Sequence, residues 1–165
     1  MDGILNLSAF GDIIKKPSEM SDDTTVNTGS TEIGGSGNKY GHIFNVILQN
    51  TAQIKLLHWQ SYSYGQHKAL DKLFGNFIDL SDSLAEVIMG KYGKPVLSDD
   101  NLSFKIGNFT DPEKCDLNPF LNHMYKTYSI DCKSILNEKS DTEIFNILDE
   151  ILAVIDQTKY LVSLR

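Results

Sequence analysis

Residues 58–91 read HWQSYSYGQHKALDKLFGNFIDLSDSLAEVIMGK, and this stretch decides both the fold and the chemistry. From Gln66 to Lys91 the apolar residues Leu70, Leu73, Phe74, Phe77, Ile78, Leu84, Val87 and Ile88 recur at the helical period, and Gly90, Gly93 and Pro95 end the run. The polar residues carry a second pattern. His67, Asp71, Asp82 and Glu86 follow one another at steps of four, eleven and four. At ~100° per residue these steps return almost to one azimuth, so the four side chains share one stripe of one helix. Imidazole and carboxylate donors in such a row suit a divalent iron or zinc ion. The two pairs cannot meet on one ion within a chain, because their midpoints lie roughly 22 Å apart along the axis. A second copy of the helix, antiparallel about a two-fold axis near Gly75 and Asn76, sets His67 and Asp71 of one subunit against Asp82 and Glu86 of the other. Two symmetry-related sites result.

Upstream, the period begins at Tyr40. Ile43, Ile47, Ile54 and Leu57 mark a first helix to about Tyr62, broken by the SYSYG run. Downstream, Ser98 to Leu117 is a polar crossover whose centre, LSFKIGNF, has the partial alternation of a short strand or a turn of helix. A third helix starts at Asn118-Pro119, with Asn as cap and Pro at the first position. It runs through Leu121, Met124, Tyr128, Cys132 and Ile135. Ser140 or Asp141 caps a fourth, with Glu143 in its first turn and a stripe of Ile144, Leu148, Ile151, Leu152, Ile155 and Leu161. Four helices joined short, long and short predict an all-α four-helix bundle with one long crossover, the ferritin-like connection pattern. The bundle occupies 40–165. Residues 1–39 form a flexible extension: Ser18 to Asn38 has linker composition, and Ile4, Leu5, Leu7, Phe10, Ile13 and Ile14 before it make a short apolar cluster.

The His58-Trp59 pair at the end of the first helix, together with the gap-free His67–Glu86 spacing, resembles the mini-ferritins, the DNA-protection-during-starvation (Dps) family. The stretches HWQSYSYGQHKAL and EVIMGKYGKP look closer still to ferritin-like proteins of tailed phages and large DNA viruses. The resemblance spans most of Tyr40 to Leu164. It implies that His58, His67 and Asp71 are metal ligands from one subunit, with Asp82 and Glu86 from its neighbour. It also implies iron as the metal, with zinc the lesser alternative, and a ferroxidase-type oxidation of Fe(II) in a dimer or a larger shell. Trp59, beside the metal, would then quench oxidising equivalents. Two departures stand out. The interval from the His-Trp pair to the second His is shorter than in typical mini-ferritins, which tightens the first turn and shifts His58 relative to His67. No Glu-x-x-His occurs in the chain, which disfavours the di-iron site that ordinary ferritins build within one subunit.

Composition limits the alternatives. A chain of 165 residues suffices for one domain with a substantial core, and its net charge of −7 disfavours wrapping nucleic acid. No run approaches the ~18 apolar residues of a membrane span, and the N-terminus, with an acid at position two and no basic region, makes a poor signal peptide. Cys115 and Cys132 form no C-x-x-C pair, as expected of a reduced, intracellular compartment, which for a viral protein is the host cytoplasm or the virion.

Each candidate ligand also has an ordinary reading. His58 could be a core or turn residue, His67 an exposed first-turn histidine, Asp71 a solvated acid, and Asp82 and Glu86 members of a wet face. Asp79 lies off the stripe. His42 and His123 read as structural, Asp149, Glu150 and Asp156 as solvent-facing, and Trp59, Tyr62 and Tyr64 as packing around the turn. Two functions follow: an iron-binding, ferroxidase-like protein, or a non-enzymatic assembly or virion component that docks a protein partner through residues 4–14. DNA compaction is the weakest, given the charge.

Overall fold

The computed structural model describes residues 37–94, 105–109 and 115–164, with side chains from residue 40 onward. The expectations for residues 1–36 lie outside the described residues. What is described is all-helical: α1 (Gly37–Gln60), α2 (Tyr64–Tyr92), α3 and α4 (Thr142–Ser163). The helix α3 is composite, with α-helical turns at Asn118–Lys126 and Cys132–Ile135 around a π-helical turn, Thr127–Asp131. No strand occurs among the described residues, and 105–109 are irregular.

The buried stripes explain the assembly. On α2 it is Leu70, Leu73, Phe77, Ser81, Leu84 and Ile88, and on α4 it is Ile144, Leu148, Ile151, Ile155 and Thr158. Both repeat at steps of three or four residues, so each faces one side of its helix. Ile43, Ile54 and Leu57 of α1 and Phe120, Leu121, Met124 and Tyr128 of α3 fill the space between. Each fully buried Leu or Ile contributes about 1.5–3 kcal/mol through removal from water.

The helix α2 packs on α1 and on α4, while α3 packs on α4 and, through its last turn, on α1. Neighbours run antiparallel. Tyr40 at the start of α1 stacks on Tyr92 at the end of α2, with ring centroids 4.1 Å apart. Lys91 and Tyr92 meet Asp141 and Glu143 at the start of α4. Lys159 near the end of α4 lies over the ring of Tyr125, 4.3 Å from its centroid. Asn50 donates to the buried Tyr128 hydroxyl at 3.1 Å, tying α1 to the π turn. At that turn the Thr127 hydroxyl donates back to the His123 carbonyl, a side-chain bond that competes with the regular helical ladder.

The crossover is clamped to α1 by two glutamines one heptad apart. The fully buried Gln53 amide pairs with Gly107 on both edges: its Nε2 donates to the Gly107 carbonyl and its Oε1 accepts from the Gly107 N–H, each at 2.7 Å. Gln60 donates to the Asn108 side chain and accepts from the Phe109 N–H. A side-chain amide thus takes the place of a neighbouring strand, and the described part of the LSFKIGNF segment, 105–109, forms no ladder. Gln53→Ala leaves two backbone groups unsatisfied and should cost about 2 kcal/mol. Urea denaturation would check the loss, and amide exchange at Gly107 should accelerate with it.

Candidate metal centre

The helix α1 ends at Gln60 and α2 starts at Tyr64, with Ser63 as its N-cap. The turn closes tightly because the Ser61 hydroxyl donates to the His58 carbonyl at 2.8 Å and the His67 N–H to the Ser63 carbonyl at 2.9 Å. The short interval therefore sets the last turn of α1 directly against the first turn of α2. The His58 and His67 rings stack with centroids 4.0 Å apart, and their Nε2 atoms approach to 3.1 Å. One turn further, Asp71 Oδ1 lies 3.6 Å from His58 Nε2. Its other oxygen is 3.7 Å from the Lys68 ammonium.

Hydrogen bonding constrains the protons. His67 Nδ1 faces the His58 carbonyl at 3.2 Å and the Ser61 hydroxyl at 3.4 Å. A carbonyl only accepts, so Nδ1 carries the His67 proton and its Nε2 presents a lone pair. With no cation present, His58 Nε2–H donates to that lone pair, and His58 Nδ1 is left buried without a partner. With its proton moved to Nδ1, His58 instead directs a second lone pair into the same gap. Two nitrogens each 2.0–2.1 Å from one ion lie roughly 3.0–3.4 Å apart, and the observed separation falls in that span. Two imidazoles and a half-exposed carboxylate thus lie near one another at this turn, donor types found at Fe(II) sites. The contact of His67 Nδ1 with the His58 carbonyl fixes the orientation of the ring.

Burial lowers the His58 pKa below 6.5, aided by His67 and Lys55 and opposed by Asp71. Burial also lowers His42 and His123, each opposed by Asp131. The unfolded chain therefore takes up these protons first as the pH falls. The stability associated with the neutral rings is complete above pH 6.5 and declines below it. Urea midpoints measured down a pH series should fall from this point, before the carboxylates titrate.

Asp82 and Glu86 are exposed on α2, as is Asp79. They do not join the His58–His67–Asp71 group, and no three His, Cys, Asp or Glu side chains among the described residues are grouped to hold an ion within one chain. Gly75, between the two halves of the stripe, has open space where a Cβ would stand. Asp149, Glu150 and Asp156 face solvent, with Asp149 paired to Lys133 and Asp156 to Lys159. Cys115 and Cys132 are buried, and burial pushes the Cys132 thiol up to about 12.

The turn aromatics differ from expectation. Trp59, Tyr62 and Tyr64 are exposed by 69, 76 and 78 %. The turn is too short to fold them inward once the two histidines are stacked beneath it. Trp59, Gln60, Ser61, Tyr62 and Phe109 line an open cleft of roughly 320 Å³. Sequence reasoning also passed over Ser61, which braces the His58 carbonyl, and Gln53 and Gln60. No local sequence signal marks these contacts.

Residues 58–162 match the model of a family of unknown function, DUF5856. The chain belongs to that family. The match begins at His58 and takes in all five candidate ligands, α2, α3 and nearly all of α4. No curated protein and no solved structure matches the chain. No described helix of this DUF5856 member is long and apolar enough to cross a membrane.

Proposed function

We propose that this DUF5856 chain is a Dps-like, ferritin-like four-helix bundle that binds Fe(II) and oxidises it at a site shared between two subunits. The observation that carries the reading is the His58–His67 contact at 3.1 Å with the half-exposed Asp71 beside it. Support also comes from the packing order. Each helix touches two antiparallel neighbours, α1–α2–α4–α3, and the long connection joins α2 to α3. That order suits a bundle with one long crossover.

In this reading Fe(II) is the substrate. His58, His67 and Asp71 hold it from one subunit, and Asp82 and Glu86 of the partner subunit complete the site from the facing α2. The neutral imidazoles offer lone pairs, the carboxylates supply compensating charge, and positions left open admit the oxidant. The outer face of α2 fits such a dimer, since Gly75 permits close approach and Ile78 is 38 % exposed. Gly75→Trp should overpack the two-fold contact and shift the monomer–dimer equilibrium toward monomer. Sedimentation that is unchanged by this substitution would count against the interface.

Oxidation kinetics test the activity. Purified protein should consume Fe(II) faster than buffer does, with oxygen or with peroxide, and His67→Ala should remove the acceleration. No acceleration with either oxidant would favour the non-enzymatic assembly component.

A further inference from the structure

The exposed aromatic turn is the feature that the metal reading leaves unused. Trp59, Tyr62 and Tyr64 each show more than two-thirds of their surface, and Trp59 and Tyr62 line an open cleft with Gln60, Ser61 and Phe109. Large rings with one polar edge are favoured at contact surfaces, and soluble monomers rarely leave such a group uncovered. The same chain carries an apolar peptide outside the described residues: Ile4, Leu5, Leu7, Phe10, Ile13 and Ile14. Such a segment is too short to build a core of its own.

We propose that residues 4–14 dock on the Trp59–Tyr62 cleft of their own chain, with Phe10 as the anchor. The tether permits it. From Gly37 at the start of α1 to Trp59 is roughly 33 Å along the helix. Residues 15–36, rich in Gly, Ser and Thr, would span at most roughly 75 Å if fully extended, more than that distance. The segment therefore reaches the far end of α1 without strain. Tethering holds it at roughly millimolar effective concentration, above that of a second copy in dilute solution. The cleft has room for one or two large apolar side chains.

Trp59 is the only tryptophan in the chain, so its emission reports directly on this surface. In full-length protein the emission should be blue-shifted and weakly quenched by acrylamide, and it should not change on dilution. Phe10→Asp should shift it to the red and raise the quenching constant several-fold, while far-ultraviolet circular dichroism stays constant. Ile14→Asp should act in the same direction, and Thr24→Asp, in the linker, should have no effect. Superimposable spectra and quenching for wild type, Phe10→Asp and Ile14→Asp would overturn the proposal. A blue shift lost on dilution would also overturn it, by assigning the cover to a second copy.

Discussion

Asp141→Ala should destabilise the domain by about 3 kcal/mol, among the largest single-residue losses expected. Asp141 is 1 % exposed, and its carboxylate is fully used. It accepts from the Asn137 N–H at 2.8 Å, from the Tyr92 hydroxyl and from the Lys91 ammonium at 2.9 Å. Lys91 also pairs with Glu143 at 2.7 Å and donates to the Ser140 carbonyl. These bonds join the end of α2 to the start of α4, and the Tyr40–Tyr92 stack extends the junction to α1. Alanine would remove the acceptor shared by the Asn137 N–H, the Tyr92 hydroxyl and the Lys91 ammonium. Burial by itself would raise the Asp141 pKa, but the three bonds outweigh it and hold the group at about 2, against its usual 3.8. The unfolded state therefore binds the proton first as the pH falls. The associated stability, about 2 kcal/mol, is complete above pH 4 and is lost between about 4 and 2. Urea denaturation should show a lower midpoint for Asp141→Ala at pH 7, and Asp141→Asn should flatten the acid limb of the stability profile. An unchanged midpoint would mean that the junction contributes nothing net.

Splitting the ligand set between subunits should produce complementation. Take one variant carrying Asp82→Asn with Glu86→Gln, and another carrying His67→Ala with Asp71→Asn. In either homodimer every site lacks two of its five donors, and tight Fe(II) binding should be lost. In the mixed dimer one site keeps the full set and the other retains only His58, so about half of the wild-type capacity should return. Removing first-shell ligands should cost more than the 10–100-fold typical of outer-shell partners. Absence of rescue in the mixed dimer, with dimers verified by sedimentation, would place any site within one subunit.

The helical skeleton was legible because apolar residues recur at a period that only a helix can bury on one side. Leu70, Leu73, Phe77, Leu84 and Ile88 are all buried in α2, as the spacing required. The ends moved by a few residues. The helix α1 starts at Gly37, inside the linker composition, and α2 starts at Tyr64, ahead of Gln66. The meeting of His58 with His67 and Asp71 followed from the resemblance, and the shorter turn tightens their contact instead of separating them. Contacts without a period were not legible. Gln53 meets Gly107 across 54 positions through a side-chain amide, and nothing local marks either residue. Asp141 reads as a helix cap, yet its side chain makes no cap bond and serves instead as a buried hub. The exposed Trp59, Tyr62 and Tyr64 were misread because aromatic residues at a turn ordinarily pack inward.

Anaerobic titration of Fe(II) into the wild-type protein and into the quadruple variant His67→Ala, Asp71→Asn, Asp82→Asn, Glu86→Gln is the most direct test of the shared metal site. The account predicts saturable binding to the wild type with one equivalent site per subunit, and no tight binding to the variant at matched helicity. Binding by the variant equal to that of the wild type would contradict it, and would leave the bundle as an assembly component without a metal centre.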